Sequence, residues 1–556
     1  MRPAVTSAKR RPHELGGVRD ALALTTSKLE PAFRLPAGAI LPACRNACLR
    51  EAILRTMVAW WRQMLSKSRL LAGLQCKKLL WLRVHERDAP ELVPDVGLQA
   101  IFDQGTRVGE FAHERFPGGD VIQYDDRRVE ATREAIANGA RTLYEASFVA
   151  DDVFVAVDIL LREDAGWRLI EVKSTTSVKD VHIADAAIQT RVLERAGLRV
   201  RAVEIMHLNR QCRYPDLSNL FVRADVTTRV RALLPTIPAR IAEQLGVLRG
   251  PLPIVDTGPH CRTPYECPFQ SRCLAPLPEH HVSTLYRGGR HAAEFLAEGV
   301  QRIEDITIPL DGIQERQRRA VQSGQLVVDV GLADALAPFV SPIAFLDFET
   351  VSLAIPCWSG CSPYDTVPVQ FSVHAEHAGG MVHRAWLADG PEDPRRALAL
   401  ALLDACAGTK TVVAYNASFE RGVIMGLATA CPDLAAPLAA VADRLVDLLP
   451  VVREHVYHPD FGGGFGLKAV LPALAGQGYS DLAFADGGGA SAGLGRLVFE
   501  PMAAAERDTL RRDLLAYCER DTWGLVLLLR RLRELAARPA QSGANPSFAA
   551  DAHALG

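Results

Sequence analysis

The alternation of apolar and polar positions predicts two strand-rich regions along the chain, each accompanied by helices. In the first region, residues 153–162 and 167–173 alternate on either side of a short acidic turn, which is typical of a β-hairpin. A helix is predicted next, from about residue 181 to 196. In the second region, residues 344–350 and 411–415 are apolar runs that predict buried strands. The pattern therefore indicates the α/β fold class with two cores.

Domain boundaries follow from changes in this pattern. A chain of 556 residues is longer than one core needs, so two or three domains are expected. Residues 1–63 are expected to be an extension, either disordered, upstream of the true start, or an ordinary helical addition. We then predict a first domain at 64–280, a helical connector at 281–340, a second domain at 341–535 and a disordered tail at 536–556.

Composition narrows the class of protein. Apolar residues make up 48% and charged residues 23% of the chain, which is typical of a globular enzyme. The net charge is −2, so binding of nucleic acid would depend on local basic patches. The sequence contains neither a membrane span nor a secretory signal, and we therefore expect a cytoplasmic location and no membrane partner. In that compartment the 12 cysteines should be reduced, and any cluster among them suggests a metal.

The predicted hairpin carries residues that suit phosphodiester chemistry. Asp158 lies on one strand, and Glu171 and Lys173 share one face of the next because strand side chains alternate. Two carboxylates can hold a hard divalent cation, Mg²⁺ or Mn²⁺, through their oxygens. The lysine can activate the attacking water and offset phosphate charge. The same spacing also fits an ordinary surface ion pair between Glu171 and Lys173.

The ordered set D-x12-E-x-K, followed by Gln189 on the predicted helix, resembles the PD-(D/E)XK nuclease superfamily in its RecB-like branch. The resemblance implies a restriction-endonuclease-like domain in which the two carboxylates, the lysine and the glutamine are catalytic. It also implies that His113, in a G-x3-H motif at 109–113, is a metal ligand beside the carboxylates, which would favour Mn²⁺. Leu193 stands where the branch often has an aromatic residue, and a lone helical histidine is commonly an ordinary surface residue.

A cysteine cluster ends the first region. Cys261, Cys267 and Cys273 stand in a C-x5-C-x5-C loop, wider than the pairs of most zinc sites, and Cys76 is the candidate fourth thiolate. One early cysteine and three late ones around a D…E-x-K core resemble the iron–sulfur RecB-like nucleases, which include the CRISPR-adaptation nucleases and the AddB subunit. This resemblance implies a [4Fe–4S] cluster on the four thiolates. Zinc and unligated buried thiols remain alternatives.

The second region carries a further set of acidic residues. Asp347 and Glu349 lie on one face of an apolar strand, where neighbouring carboxylates are costly unless they bind metal or find partners. Glu420 follows the second apolar strand. On a late predicted helix, Tyr517 and Asp521 are four residues apart and so share a face.

This order resembles the DEDD exonuclease superfamily, which has a ribonuclease-H-like fold. The resemblance implies that Asp347, Glu349, Glu420 and Asp521 hold two divalent ions and that Tyr517 positions the attacking water; these are the expected catalytic and metal-binding residues of the second domain. Glu420 replaces the usual aspartate. Asp447 and Lys468, between the motifs, are candidates for metal support and phosphate contact, and each fits a structural role equally. An inactive ribonuclease-H-like scaffold is the alternative for this region.

The motifs of the second region, together with residues 368–372 and 467–472, resemble a bacterial family labelled domain of unknown function 2779, whose members often carry the cysteine-bearing RecB-like module. The name implies no activity, so the expected function comes from the two sites. We expect a metal-dependent nuclease that hydrolyses DNA in repair or in defence against foreign DNA, with helicases or other such proteins as possible partners. An RNA-processing exonuclease and a degenerate nucleic-acid-binding scaffold are the alternatives.

Overall fold

Two sheets organise the chain in the computed structural model, which describes residues 64–484 and 486–538. The predicted extension at 1–63 and the predicted tail beyond residue 538 lie outside the described residues. Both sheets belong to one unit that begins at Gln63. The mixture of sheets and helices confirms the α/β class that the pattern predicted.

The strands are numbered in chain order. They are β1 (Leu65–Ser66), β2 (Asp120–Val121), β3 (Thr142–Ala150), β4 (Val153–Glu163), β5 (Gly166–Lys173), β6 (Val200–Leu208), β7 (Phe221–Asp225), β8 (Val327–Val328), β9 (Ile343–Ser352), β10 (Thr366–His377), β11 (Gly380–Leu387), β12 (Thr411–Ala414), β13 (Leu445–Asp447) and β14 (Val456–Tyr457).

The helices are numbered in the same way, from the first described residue. They are α1 (Lys67–Gln75), α2 (Lys77–His85), α3 (Val96–His113), α4 (Arg128–Ala137), α5 (Asp180–Arg195), α6 (Thr227–Leu233), α7 (Ile237–Arg249), α8 (Gln270–Leu274), α9 (Gly289–Ala297), α10 (Gly312–Ser323), α11 (Leu332–Ala335), α12 (Arg395–Ala405), α13 (Ser418–Ala430), α14 (Ala435–Ala442), α15 (Leu449–His455), α16 (Leu467–Ala475), α17 (Gly487–Phe499) and α18 (Ala504–Ala536). No helix in this part of the chain is long and apolar enough to cross a membrane.

The first sheet has the order β2-β3-β4-β5-β6-β7, with β1 also paired to β4. Strands β3, β4 and β5 are antiparallel, as the predicted hairpin requires, whereas β5 and β6 are parallel. A parallel pair needs a crossover connection, and α5 provides it. Its apolar residues Ile183, Ile188 and Val192 are buried in the core of this sheet. The helix is therefore held directly over the strand that carries Glu171.

The second sheet has the order β11-β10-β9-β12-β13. Strands β9, β10 and β11 are antiparallel neighbours, and β12 and β13 run parallel to β9. Alternate residues of β9 enter two different cores: Leu346 packs with α12–α14, whereas Phe345 packs with α18. Asp347 and Glu349 share the face of Phe345 because side chains alternate along a strand. The long helix α18 consequently covers the strand face that carries these two carboxylates.

The segment between β9 and β10 joins the second sheet to the first. The hydroxyl of Tyr364 donates to the carbonyl of Ser174, 2.5 Å away, immediately after β5. The Ser362 hydroxyl donates to the Cys212 carbonyl at 2.6 Å. Ala354 is buried in an apolar cluster with residues of α3 and of the first sheet. The two sheets are thus fixed to each other by both polar and apolar contacts.

A glycine-rich loop before α16 contacts the segment 281–340, which contains the helices α9, α10 and α11 and the short strand β8. Gly463 has φ +87°, and a Cβ atom there would lie 1.9 Å from the carbonyl oxygen of Thr284. Gly462 has φ +58°, yet a Cβ atom there would meet nothing within 4 Å. Both glycines permit a left-handed backbone, but only Gly463 permits a close approach between two chain segments.

We predict that Gly463→Ala destabilises the chain far more than Gly462→Ala. Both changes place a side chain at positive φ, which costs roughly 1–2 kcal/mol. Only the first also forces the backbone of Thr284 to move, which should add roughly 1–3 kcal/mol. Urea unfolding followed by circular dichroism measures the difference. Equal midpoints for the two variants would contradict the close contact.

Candidate functional site

The first candidate site lies where β4 and β5 pair. Ile159 is opposite Ile170, so the same antiparallel register places Asp158 opposite Glu171. The backbone N–H of Val172 donates to Asp158 Oδ2 at 2.7 Å, and the Glu171 side chain is almost fully buried. The structure therefore brings together the two carboxylates that the sequence pattern paired.

Helix α5 adds the next residues of this site. Lys173 Nζ donates to Glu171 Oε1 at 2.6 Å and to Asp185 Oδ2 at 2.7 Å. Gln189 Nε2 donates to Glu171 Oε2 at 2.6 Å and to Asp185 Oδ1 at 2.9 Å. Asp185 and Gln189 are four residues apart and so share a helix face. The predicted lysine and glutamine are in place, and Asp185 is a third acidic residue that was not among the predicted site residues.

Lys67 completes the site and was also missed by sequence analysis. It begins α1, and its Nζ donates to Glu171 Oε1 at 2.8 Å across 104 residues of sequence. No motif around this lysine indicates its role, because its contact with Glu171 depends on the pairing of β1 with β4.

The charges of the first site divide its carboxylates into two classes. Burial and the neighbouring Glu171 raise the pKa of Asp158 to about 7, although Lys67 and Lys173 oppose the shift. Burial would also raise the pKa of Glu171, but the two lysines hold it well below its usual range. Glu171 is therefore ionised at neutral pH, whereas Asp158 is close to half-protonated.

His113 lies at the end of α3, near but not within this group. Its ring stacks on Tyr144 with centroids 4.2 Å apart, and burial lowers its pKa, so the imidazole is neutral. Its Nε2 is buried without a hydrogen-bond partner among the described residues. His113 is absent from the two groups of described residues whose three ligand atoms lie within 4.8 Å of one another. The backbone of Asp158 nevertheless neighbours the imidazole, and a buried ligand nitrogen is available.

The four predicted cysteines line one pocket between the α1–α2 junction and the loop before α8. Cys76 is the residue between α1 and α2, and the Cys267 N–H donates to the Cys261 carbonyl at 2.8 Å. Burial and the three neighbouring cysteines, including Cys273, raise the pKa of the Cys267 thiol. The structure therefore brings together residues separated by nearly 200 positions.

Spacing of the four sulfurs bears on the kind of metal they fit. A tetrahedral zinc with Zn–S bonds of ~2.3 Å places its sulfurs ~3.8 Å apart. Among the described residues, no three of these sulfurs lie within 4.8 Å of one another. The four sulfurs as they lie in the structure therefore do not have the spacing of one zinc tetrahedron.

The second candidate site lies between β9 and α18. Carboxylate oxygens of Asp347, Glu349 and Asp521 all lie within 4.8 Å of one another, which makes these residues one of two such groups in the described part of the chain. Cys518 contributes a thiol 3.5 Å from Asp347 Oδ2. Three of the four predicted carboxylates therefore converge on one point.

Two tyrosines and a lysine flank this group. Lys468 Nζ donates to the Tyr517 hydroxyl at 2.8 Å and lies 5.3 Å from the ring centre of Tyr479. Tyr479 donates to Asp521 Oδ1 at 2.5 Å. Tyr517 was predicted from its helical spacing to Asp521, whereas Tyr479 lies in a loop and had no motif to indicate it. Lys468 contacts the predicted tyrosine, which places it at the site.

Glu420 occupies the first turn of α13, behind the three converging residues. Its side chain is 3% exposed, and its Oε2 has no hydrogen-bond partner among the described residues. It does not belong to the group within 4.8 Å. Asp447 instead accepts the backbone N–H groups of Asn416 and Leu449, at 2.9 Å and 3.0 Å. Asp447 therefore shapes the turn before α13, and it also lies near enough to Glu420 to raise its pKa.

Burial dominates the electrostatics of the second site, and repulsion between neighbouring carboxylates adds to it for Asp347 and Glu349. Burial, followed by Asp521, Glu349 and Glu420, raises the pKa of Asp347 well above its usual range. Burial and Asp521 raise the pKa of Glu349 to about 8, and burial raises that of Glu420 to about 8. The pKa of Asp521 rises to about 6 through burial, although Tyr479 and Lys468 counteract the effect. The group therefore retains protons at neutral pH unless cations neutralise it.

Comparison with known proteins gives a match for the part of the chain around the second site. No curated protein matches the chain. Residues 344–466 match a family model described as Domain of unknown function (DUF2779), and this stretch runs from β9 to the residue before α16. It includes Asp347, Glu349 and Glu420 and excludes α18 and the first sheet. The match relates the second sheet, all of whose strands it covers apart from Ile343, to the DUF2779 family.

Proposed function

We propose that this chain is a metal-dependent nuclease with two separate hydrolytic sites, one on each sheet. The observation that carries the proposal is the convergence of Asp347, Glu349 and Asp521 within 4.8 Å at a partly buried site between β9 and α18. Buried acidic groups at such spacing are unfavourable without compensating charge, and hard divalent cations bind carboxylate oxygens. Phosphodiester hydrolysis uses this combination.

The topology of the second sheet supports an exonuclease of the DEDD class. In chain order within the sheet, the strands are arranged 3-2-1-4-5, with only the second antiparallel to the rest. This is the arrangement expected of the ribonuclease-H-like fold that the sequence resembles. The acidic residues come from the first strand, from the helix after the fourth strand and from the last helix, as that resemblance requires.

The residues present fit a pair of Mg²⁺ or Mn²⁺ ions. Asp347, Glu349 and Asp521 would hold them, and the unpartnered Oε2 of buried Glu420 offers a further ligand oxygen. Such ions, when bound, polarise the phosphate and lower the pKa of water. The predicted role of Glu420 as a ligand thus remains part of the proposal, even though it stands slightly apart.

Tyr517 is suited to positioning water. Burial, Asp521 and Glu349 raise the pKa of its phenol, so the hydroxyl keeps its proton. The Lys468 ammonium donates to the Tyr517 oxygen, which leaves the phenolic hydrogen free to donate elsewhere. The tyrosine would therefore be able to donate to a water or a phosphate oxygen held at the carboxylate group.

The first site supports a PD-(D/E)XK-type nuclease centre. Lys173 contacts Glu171 and Asp185, and Gln189 contacts the same two carboxylates, which are the relations expected of the catalytic set. His113 has a neutral imidazole with a free nitrogen and is a candidate ligand together with Asp158 and Glu171. Lys67 shares Glu171 Oε1 with Lys173, so one of the two lysines would move if a cation bound that oxygen.

DNA is the proposed substrate, and RNA is the alternative. Phe419, next to Glu420, leaves 40% of its surface exposed beside the second site. An exposed aromatic ring can stack on a nucleobase of a single strand. Participation in DNA repair or in defence against foreign DNA, together with helicases or related proteins, remains part of the proposal.

The cysteine pocket is proposed to hold a [4Fe–4S] cluster. Its four thiols come from both ends of the first region, and their spacing exceeds that of a zinc tetrahedron. A cluster there would join α1 and α2 to the loop before α8. The role is structural, because these contacts hold the segment that carries Lys67.

We predict that Asp347→Asn removes exonucleolytic trimming and that Lys173→Met removes the activity of the first site. The asparagine keeps the size of the side chain but loses the charge that binds cations, and the methionine loses the ammonium. Each site should slow by ~100-fold or more. Full-length protein, prepared without oxygen, is assayed with Mn²⁺ on end-labelled single-stranded DNA, duplex DNA and RNA.

Matched controls are Asp389→Asn and Lys410→Met, which change exposed residues of the same types. The double variant Asp347→Asn with Lys173→Met should cleave none of the three substrates. If the double variant cleaves as fast as the wild type, neither site is the source of the cleavage activity. Cleavage of RNA alone would favour the RNA-processing alternative, and no cleavage by the wild type would favour the scaffold.

We predict that Cys267→Ser loses iron and destabilises the first sheet more than the second. A serine oxygen is a poor ligand where a thiolate is required. Elemental analysis should find about four irons per wild-type chain, and visible absorption should vanish in the variant. Cys406→Ser is the control, since Cys406 is buried in the second sheet's core. Zinc instead of iron in the wild type would contradict the proposed cluster.

A further inference from the structure

A second group of three ligand residues lies between the edge of the second sheet and α18. His374 on β10 and His383 on β11 are directly paired across the two strands. Glu519 on α18 completes the group, and one ligand atom from each residue lies within 4.8 Å of the others. None of the three belongs to either proposed nuclease site.

Hydrogen bonds fix the orientation of both imidazole rings. His374 Nδ1 lies 2.8 Å from the Thr522 hydroxyl, and His383 Nε2 lies 2.9 Å from the Ser372 hydroxyl. The two hydroxyls are 2.7 Å apart, so one continuous network holds both rings. The rings themselves stack with centroids 4.4 Å apart. Each histidine thus uses one nitrogen for support, which leaves the other for a ligand, as in metal sites with supported imidazoles.

The contact between His383 and Glu519 has the spacing of two ligands on one ion. His383 Nδ1 lies 3.5 Å from Glu519 Oε1. A charge-assisted hydrogen bond between these atoms would measure ~2.7–2.9 Å. In contrast, tetrahedral zinc with Zn–N and Zn–O bonds of ~2.1 Å would hold the two atoms ~3.4 Å apart.

We propose that His374, His383 and Glu519 bind one first-row transition-metal dication, with Zn²⁺ as the best fit. Two imidazoles and one carboxylate are an established ligand set for zinc, with water in the fourth position. The side chain of Glu519 is 50% exposed, so water can reach the site. Nitrogen ligands distinguish this site from the all-oxygen carboxylate group, which suits Mg²⁺ or Mn²⁺.

The protonation of the histidines agrees with metal binding. Burial, with the neighbouring His383, lowers the pKa of His374 to about 4. Burial also lowers the pKa of His383, although Glu519 opposes the shift. Both imidazoles are therefore neutral near pH 7 and have a lone pair to donate.

An ion at this position would hold the sheet edge to the helix that carries Asp521. Glu519 precedes Asp521 by two residues on α18, and Ser372, which supports His383, is paired with Asp347. The zinc site would therefore fix both elements that supply carboxylates to the second nuclease site. The proposed ion acts on the position of these elements and not on the substrate.

Two measurements on the full-length protein test the zinc site. Crystals soaked in Zn²⁺ are examined for anomalous scattering at the zinc absorption edge, which locates each ion. Equilibrium dialysis against micromolar Zn²⁺ then counts ions in the wild type, His383→Ala, Glu519→Ala and the control His377→Ala. His377 is an exposed residue at the end of the same strand as His374.

The expected result is an anomalous peak between His374, His383 and Glu519. His383→Ala and Glu519→Ala should each bind one zinc ion fewer than the wild type, whereas His377→Ala should bind the same number. Circular dichroism of the variants checks that they fold. Zinc found only at the carboxylate group or the cysteines, or an unchanged count in folded His383→Ala and Glu519→Ala, would overturn the proposal.

Discussion

Repulsion among carboxylates buried together is the constraint on which the second half of the structure depends. Asp347 and Glu349 follow apolar residues on the central strand of a sheet, and α18 brings Asp521 against the same face. Burial raises the pKa values of all three, and repulsion from neighbouring carboxylates adds to the shift for Asp347 and Glu349. If stability were the only requirement, apolar side chains would be expected at these positions. Replacing buried charged groups with well-packed apolar ones is often neutral or stabilising. The arrangement is explained if cations supply the missing charge.

In the first sheet, side chains of the protein itself balance the charge of a buried carboxylate. Glu171 is more deeply buried than Asp347, Glu349 and Asp521, but Lys67 and Lys173 both donate to one of its oxygens. Its pKa consequently falls, whereas those of the second site rise. Asp158 resembles the second site, with its pKa raised to about 7 by burial and by Glu171. The two sites therefore differ in how much charge a bound cation must supply.

Sequence periodicity predicted contacts within one element or between adjacent strands. It did not predict contacts between segments that are distant in the sequence. Alternation along a strand placed Asp347 beside Glu349, and helical spacing placed Tyr517 beside Asp521, as the structure has them. Lys67 and Tyr479 were missed because each reaches its carboxylate from a distant segment with no motif. The grouping of the four cysteines was predicted from a resemblance, because sequence spacing alone cannot show that an early residue lies beside a late loop. The second group of three ligand residues, between the sheet edge and α18, depends on strand register, which the sequence pattern did not predict.

Proton release on binding of Mn²⁺ measures this constraint most directly. Calorimetry of the Asp158→Asn variant, in buffers with different ionisation enthalpies, counts the protons that the second site loses to the ion. Because the pKa values of Glu349 and Glu420 are raised to about 8, Mn²⁺ must displace protons below that pH and none well above it. We expect proton release at pH 7 that disappears by about pH 9–10, with affinity rising over the same range. Binding of Mn²⁺ without proton release at pH 7, or no binding at any pH, would contradict a cation-dependent carboxylate site.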